Sequence, residues 1–216
     1  MAVHFHTLKI KAVKKETPDC VSIAFYIPEE LKTTFTFEQG QNITLKKSIN
    51  GEELRRSYSI CSAPFENELK VAVKKVIDGK FSCYANDTLK EGDTIEVLPP
   101  TGKFNTQLQP TNNKQYAAFA AGSGITPILS IIKTTLQTEP QSSFTLIFEE
   151  LEALKNIYLQ RFNFINILSR EKTDTTINYG RIDKQKLTDL NKIINYNTID
   201  DYFICGPEEM IFCIKD

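Results

Sequence analysis

A segment near the middle of the chain has the residue types and spacing of an anion-binding turn. Residues 120–127 read AAGSGITP and follow an apolar stretch, so they are predicted to join a buried strand to a helix. Gly122 and Gly124 permit a tight turn, Thr126 suits the N-cap, and Pro127 suits the first helical position. The free N–H groups and the dipole of such a helix start attract phosphate. An ordinary strand-to-helix turn remains the alternative, because the third glycine of the dinucleotide fingerprint and the lysine of a P-loop are missing.

A second candidate phosphate site consists of Gly79, Lys80, Phe81 and Ser82. These residues precede or begin a short helix that the pattern predicts over residues 82–89, with Ser82 as its N-cap. Backbone N–H groups at this start can hold a phosphate. A plain N-cap without a ligand is an equally good interpretation of this segment alone.

A cation and an aromatic ring lie two residues apart in a predicted strand. Strand alternation places Arg56 and Tyr58 on one face and Ser57 and Ser59 on the other. Such a pair can clamp a phosphate and stack on a flat ring. For this pair taken alone, the better interpretation is a solvated arginine over a packed tyrosine, with no ligand.

The last strand ends in the triplet Cys205, Gly206 and Pro207. Ligands of α/β sheets bind at the carboxyl ends of parallel strands, and Pro207 suits the start of a helix. A simply buried cysteine is the commoner alternative. His4 and His6 are the only histidines and are interpreted as exposed terminal residues, so metal binding and histidine-based catalysis are not expected.

The elements that position these residues differ between the two halves of the chain. In the first half, period-two patterns predict short strands over residues 21–27, 69–73 and 95–97. Asn50-Gly51 lies between two β-like runs and predicts a hairpin. Many short strands with turns between them are typical of a small antiparallel barrel or sandwich.

After a polar break at residues 111–114, apolar strands alternate with helical patterns. We predict strands over residues 116–121, 144–148, 162–168 and 202–205, and helices over residues 127–136, 151–160, 184–190 and 208–214. This alternation indicates a parallel sheet with helices on its faces. The sequence therefore predicts an all-β domain over residues 1–110 and an α/β domain over residues 111–216.

Composition excludes several classes of protein. The chain has 216 residues with 26 Lys and Arg against 27 Asp and Glu, so it lacks the basic excess of a nucleic-acid binder. It shows neither a signal peptide nor an apolar run long enough for a membrane span. Its five scattered cysteines favour a reducing, cytoplasmic setting and match neither a disulfide framework, a zinc site nor the spacing of a plant-type iron–sulfur cluster.

Taken in order, these segments resemble the ferredoxin–NADP reductase superfamily. The shared order is Arg-x-Tyr-Ser, Gly-x-x-Ser, Gly-x-Gly-x-x-Pro and Cys-Gly-Pro, and it covers essentially the whole chain. The resemblance implies a six-stranded antiparallel flavin-binding β-barrel followed by a nucleotide-binding α/β domain. Residues 51–61, 78–82 and 121–136 also look like the reductase components of phenylacetyl-CoA epoxidases, which have a further C-terminal [2Fe–2S] domain.

The resemblance implies a role for each candidate residue. Arg56 would contact the FAD pyrophosphate, Tyr58 would stack on the isoalloxazine, and Ser59 would hydrogen-bond near flavin N5. The remaining flavin-binding residues would be Val73, Lys74, Gly79, Lys80, Phe81 and Ser82. The NADPH-binding residues would be Gly122, Gly124, Thr126, Pro127, Ser169, Arg170, Cys205, Gly206 and Pro207. Tyr58, Ser59 and Cys205 would form the catalytic set, and Ser169 and Arg170 would hold the adenosine 2′-phosphate.

The implied function is hydride transfer from NADPH to FAD and release of single electrons to an iron–sulfur centre. That centre would lie in a ferredoxin-type domain or protein and would serve an oxygenase component. Two alternatives remain: a stand-alone ferredoxin, flavodoxin or flavin reductase, and a non-catalytic regulatory module. Because residues 148–151 pass from strand to helix without a turn residue, we expect residues missing near 149–150. We also expect the second domain to be incomplete at its C-terminus.

Overall fold

The structure, a computed structural model, describes residues 4–149, 161–168 and 175–215. The chain folds into two compact units. The first contains residues up to 106 together with residues 129–134, and the second contains the remainder. The first is built on an antiparallel sheet and the second on a parallel sheet, so the predicted order of fold types is confirmed.

Six antiparallel strands and one helix form the first unit. They are β1 (His6–Thr17), β2 (Cys20–Tyr26), β3 (Asn42–Ile49), β4 (Glu52–Ser59), β5 (Leu69–Lys74), α1 (Lys80–Asp87) and β6 (Thr94–Val97). The sheet order is β4-β3-β6-β1-β2-β5, and a bridge between Ile60 and Val71 joins the two outer strands. This bridge closes the sheet, so the predicted six-stranded barrel is confirmed.

Strand alternation builds the core of the barrel. Along β5, Leu69, Val71 and Val73 are buried, as period two requires when one face of a strand covers a core. Strand β1 was not among the predicted strands, although Leu8 and Ile10 alternate with lysines and are both fully buried. Its lysine-rich outer face obscured the pattern.

The predicted hairpin at residues 50 and 51 is confirmed. Strands β3 and β4 pair without interruption from Asn42 opposite Ser59 to Ile49 opposite Glu52, which leaves Asn50 and Gly51 as the turn. Both turn residues have positive φ, at 51° and 80°, the conformation that favours Asn-Gly in two-residue hairpins.

Four parallel strands form the sheet of the second unit. The elements of this half of the chain are β7 (Gln115–Ala121), α2 (Ile125–Thr138), β8 (Ser143–Glu149), β9 (Phe162–Ile167), α3 (Lys184–Asn191), β10 (Asp201–Cys205) and α4 (Glu208–Lys215). Residues 129–134 of α2 group with the first unit, and the two ends of α2 with the second. The strand order is β10-β7-β8-β9, so β7 lies between β8 and β10. The predicted β–α alternation is confirmed for these elements, whereas the helix predicted over residues 151–160 lies outside the described residues.

Candidate functional site

Strand β4 carries the predicted arginine–tyrosine pair on one face. Its regular pairing with β3 keeps Leu54, Arg56 and Tyr58 on one side, and Ser57 lies on the other, where its hydroxyl is 2.9 Å from that of Thr44. The predicted facing is therefore confirmed. On this face Leu54 is buried, Arg56 is exposed and Tyr58 is half-buried, so the face belongs partly to the core and partly to the accessible surface. Ser59 is also half-buried.

Tyr58 packs against the first turn of α1. Its ring centroid lies 5.8 Å from that of the buried Phe81. Burial raises the pKa of Tyr58 to about 12, so the side chain is a neutral phenol at ordinary pH. The Arg56 guanidinium donates to the carbonyl of Arg55 at 2.7 Å. The barrel thus offers a flat aromatic surface with a cation two residues away.

Helix α1 begins at Lys80, two residues before the predicted start, and the predicted N-cap role of Ser82 is wrong. Gly79 is the N-cap, and no side chain caps the helix. The Ser82 hydroxyl instead donates to the Gly79 carbonyl at 3.0 Å and accepts from the Val76 N–H at 3.1 Å. An added Cβ on Gly79 would lie 2.4 Å from that hydroxyl oxygen, so glycine lets the turn close on Ser82. The uncapped N–H groups remain available to an anion.

The other two predicted flavin residues differ in accessibility. Val73 is fully buried in the barrel core, so only its main chain could face a ligand; its carbonyl accepts from the Asn86 side-chain amide at 3.1 Å. Lys74 is half-buried, and its ammonium lies 3.9 Å from an Asp19 carboxylate oxygen. Lys80 pairs with Glu52 at the surface.

The second predicted anion site also has a helix start without a side-chain cap. Residues 122–124 form a 3₁₀ turn between β7 and α2, and α2 begins at Ile125. The predicted N-cap role of Thr126 is therefore wrong, and Pro127 lies within the first turn rather than at its first position. The Thr126 hydroxyl donates to the Ser123 carbonyl at 2.9 Å, a bond that stabilises the preceding turn.

The two glycines of this turn are needed for different physical reasons. Gly122 has φ of 53°, and nothing lies within 4 Å of the position a Cβ would take, so its backbone borders open space. Gly124 has ordinary helical φ, but a Cβ there would lie 2.1 Å from the Cys205 carbonyl oxygen. Gly122 thus leaves room for a ligand, and Gly124 lets the helix start approach the end of β10.

The Cys205 triplet lies at the same sheet edge as this turn. Cys205 pairs with Ala120 in the parallel ladder, so β7 and β10 end side by side. Burial raises the pKa of the half-buried Cys205 thiol, which keeps it protonated at neutral pH. Gly206 lies against Ala121, where an added Cβ would be 3.1 Å from the alanine Cβ. The structure therefore brings the predicted residues 122–127 and 205–207 together.

Family profiles match both units. The profile of the oxidoreductase FAD-binding domain matches residues 7–106, and that of the oxidoreductase NAD-binding domain matches residues 119–216. The chain is also 45% identical, over 96% of its length, to one of the subunits of the 1,2-phenylacetyl-CoA epoxidase of Escherichia coli K12. The chain belongs to the ferredoxin–NADP reductase superfamily. The resemblance inferred from the motifs is thereby confirmed.

Other relatives of this superfamily are similar over most of the chain. The ferredoxin reductase component of 3-ketosteroid-9-alpha-monooxygenase from Rhodococcus rhodochrous is 36% identical over 74% of the chain. The chain spans 62% of the length of the E. coli relative and 48% of this component. A ferredoxin–NADP⁺ reductase of Neisseria gonorrhoeae with bound FAD and NADP has the same fold, with a TM-score of 0.74, 24% identity, and coverage of 97% of this chain and 88% of that one.

Some predicted reductase residues fall outside the described part of the chain. Ser169 and Arg170, predicted to hold the 2′-phosphate, lie there, as does Glu150 of the unusual strand–helix junction. Within the described ranges no cluster of three His, Cys, Asp or Glu residues could bind a metal ion, and no helix is long and apolar enough to cross a bilayer. The interpretation of His6 as an exposed terminal residue is wrong: His6 is the first residue of β1, is half-buried, and has its ring 5.6 Å from that of Phe35.

A buried carboxylate in the second unit was missed by the sequence analysis. Glu139 is fully buried and accepts hydrogen bonds from the Gln109 N–H, the Asn112 amide, the Tyr116 hydroxyl and the Ser142 hydroxyl, at 2.6–3.0 Å. Burial alone would raise the pKa of Glu139, but these donors outweigh it and lower that pKa. In sequence, Glu139 is a charge after a helix, a pattern that gives no sign of burial.

Proposed function

We propose that this chain is an NADPH-dependent FAD reductase that supplies single electrons to a [2Fe–2S] centre in a ferredoxin-type domain or protein. The observation that carries the proposal is that each unit has a helix start with no side-chain cap, and that each helix start lies within a matching cofactor-domain profile. Uncapped helix starts bind the phosphates that FAD and NADPH both contain. The open space at Gly122 and the exposed face of β4 fit the two ligands.

In the barrel, Arg56 and the N–H groups at residues 79–82 would hold the FAD pyrophosphate. Tyr58, a neutral ring supported by Phe81, would stack on the isoalloxazine, and Ser59 would hydrogen-bond near its N5. When bound, FAD supplies the chemistry that converts one hydride into two single electrons. In the α/β unit, residues 122–127 would bind the NADPH phosphates, with the protonated Cys205 near the nicotinamide.

The proposed acceptor rests on the relatives. The E. coli relative is part of an epoxidase, and the structure of phthalate dioxygenase reductase is described as a modular structure for electron transfer from pyridine nucleotides to [2Fe–2S]. The latter shares the fold, with a TM-score of 0.72, 24% identity, and coverage of 98% of this chain and 63% of that one. An oxygenase component is therefore the proposed final partner. The five free thiols fit a reducing compartment, which we propose is the cytoplasm.

Purified protein supplied with FAD should retain flavin absorbance after desalting and should oxidise NADPH when ferricyanide is present as acceptor. Both results follow if the two uncapped helix starts bind their cofactors. A protein that retains no flavin would contradict the proposal. A protein that retains flavin but oxidises NADPH no faster than free FAD would instead be a regulatory module.

Replacing Arg170 with Ala should raise the KM for NADPH about 10- to 100-fold and change the KM for NADH less than about twofold. A bidentate bond from guanidinium to the 2′-phosphate is worth about 1.5–3 kcal/mol, and NADH has no such phosphate. The measurement is steady-state kinetics with each nucleotide. Arg181→Ala is the matched control, because Arg181 is an exposed arginine of the same unit. Equal losses with both nucleotides would overturn the 2′-phosphate role.

A further inference from the structure

A cavity of about 590 Å³ opens on the barrel, separate from the proposed cofactor sites. Its lining comes from the first unit alone: from β1, from the end of β2 and the segment after it, and from the segment that leads into β5. Every predicted flavin residue lies in the described part of the chain, and none of them lines this cavity. Small-molecule sites have volumes of about 300–1,000 Å³, so the cavity has the size of a ligand site.

Buried residues of the barrel core form part of the cavity wall. Phe25, Phe35 and Leu69 line the cavity, are at most 3% exposed and belong to the core cluster of the barrel. The ring of Phe35 also packs edge-on against that of His6, with centroids 5.6 Å apart. Because close-packed cores keep their shape, this wall is formed before any ligand arrives.

Aromatic rings provide most of the apolar surface around the cavity. Besides Phe25 and Phe35, the half-buried Phe37 and the exposed Tyr26 line it, and Tyr26 is 57% exposed. An aromatic side chain left largely in water gains free energy when a flat apolar group covers it. The four rings therefore favour a ligand with a flat apolar body.

The polar side of the cavity carries one net positive charge. Glu68 lines the cavity and accepts hydrogen bonds from the ammonium groups of Lys11 and Lys70, each at 2.9 Å. The bonds from Lys70 and Lys11 lower the pKa of Glu68, so its carboxylate is ionised at neutral pH. Two lysines and one carboxylate leave one positive charge. Lys32, also at the cavity, is balanced by Glu29 at 2.6 Å.

We propose that this cavity binds an aromatic monocarboxylate, with its ring among the phenylalanine and tyrosine side chains and its carboxylate at the Lys11 ammonium. The Lys11 side chain is 54% exposed, and an ammonium has three donors, so a second carboxylate can bind beside Glu68. A doubly charged phosphate would exceed the net charge of the site, and a neutral ring would leave that charge unused. The site adds to the proposed function and does not depend on it.

The test titrates protein supplied with FAD with 2-naphthoate and follows binding by isothermal titration calorimetry. The probe should bind saturably, one molecule to each chain. Its uncharged analogue of the same shape, 2-naphthamide, should bind about fivefold more weakly, because it lacks the ion pair with an exposed lysine. Excess NADP⁺ should displace neither probe.

Two substitutions at exposed positions separate the roles of ring and charge. Tyr26→Ser should raise the Kd of both probes about fivefold, through loss of about 40 Å² of apolar contact. Lys11→Gln should bring the two Kd values within about twofold of each other, because Lys70 and Glu68 then balance. Lys15→Gln alters an exposed lysine of the same strand that does not line the cavity, and it should leave both Kd values unchanged.

Each contrary outcome has a definite meaning. If 2-naphthoate does not bind saturably, or if Tyr26→Ser binds it like wild type, the cavity is not the site. Displacement of the probe by NADP⁺ would overturn the proposal in favour of binding in the nucleotide site. A fivefold preference for the carboxylate that persists in Lys11→Gln would overturn the role of Lys11. Retention of flavin is measured separately, so a failure of this site is distinguishable from a failure of the proposed function.

Discussion

Replacing Gly124 with Ala should destabilise the α/β unit by about 3 kcal/mol or more. The added Cβ would lie 2.1 Å from the Cys205 carbonyl oxygen and 3.1 Å from the Gly206 nitrogen. Both atoms are backbone, so the end of β10 or the start of α2 must move to relieve the overlap, and such overpacking is costly. Urea unfolding followed by circular dichroism measures the change in the free energy of unfolding.

Gly122→Ala is the matched control for that substitution. Gly122 has room for a Cβ but has φ of 53°, whereas Gly124 has φ of −60° and no room. The free energy of unfolding of Gly122→Ala should therefore fall by only about 1 kcal/mol, because the substitution strains the backbone without causing an overlap. If both variants lose the same stability, the close approach of residue 124 to β10 is not what requires glycine there.

Replacing Glu139 with Gln should cost about 2–3 kcal/mol of unfolding free energy at pH 7. All four groups that contact the carboxylate donate hydrogen bonds, and a carboxamide presents an NH₂ group where one of its acceptor oxygens was. At least one buried donor is then left unsatisfied. Glu91→Gln, at an exposed position, is the control and should change stability by less than about 0.5 kcal/mol.

The same variant should show a distinctive dependence on pH. The folded-state pKa of Glu139 is lowered from 4.5, so its stabilisation is present above pH 4.5 and is lost as the pH falls through the folded-state pKa. The difference between wild type and Glu139→Gln should therefore shrink in acid. Urea titrations at pH 7 and pH 4 measure the free energies of unfolding of both proteins. If the difference between them is the same at the two pH values, Glu139 is not ionised in the folded protein.

The fold could largely be predicted from local patterns, and the exceptions have physical causes. Period-two alternation identified β2 and β5, but β1 was missed because its exposed positions are mostly lysines. The starts of α1 and α2 were each placed two residues late, since Ser82 and Thr126 are good N-cap types. In the structure their hydroxyls bond to the preceding turns instead.

The candidate site was predictable only where its residues are close in sequence. Residues 79–82 and 122–127 are continuous motifs, and the parallel sheet alone explains why Cys205 lies beside the second of them. The Glu139 network was not predictable because its donors come from separate segments, and each donor alone is an ordinary polar residue.

The position of β7 between β8 and β10 determines the order in which the parallel sheet can be completed as the chain is synthesised. Its partner β8 leaves the ribosome soon after it, but β10 follows only at residues 201–205. Until then β7, which reads QYAAFAA and is buried at six of seven positions, has an unpaired edge. Unpaired apolar edges are templates for association between chains. A nascent chain that stalls between β9 and β10 therefore exposes the open edge of β7. Strand β10 protects that edge as well as contributing to the proposed nucleotide site.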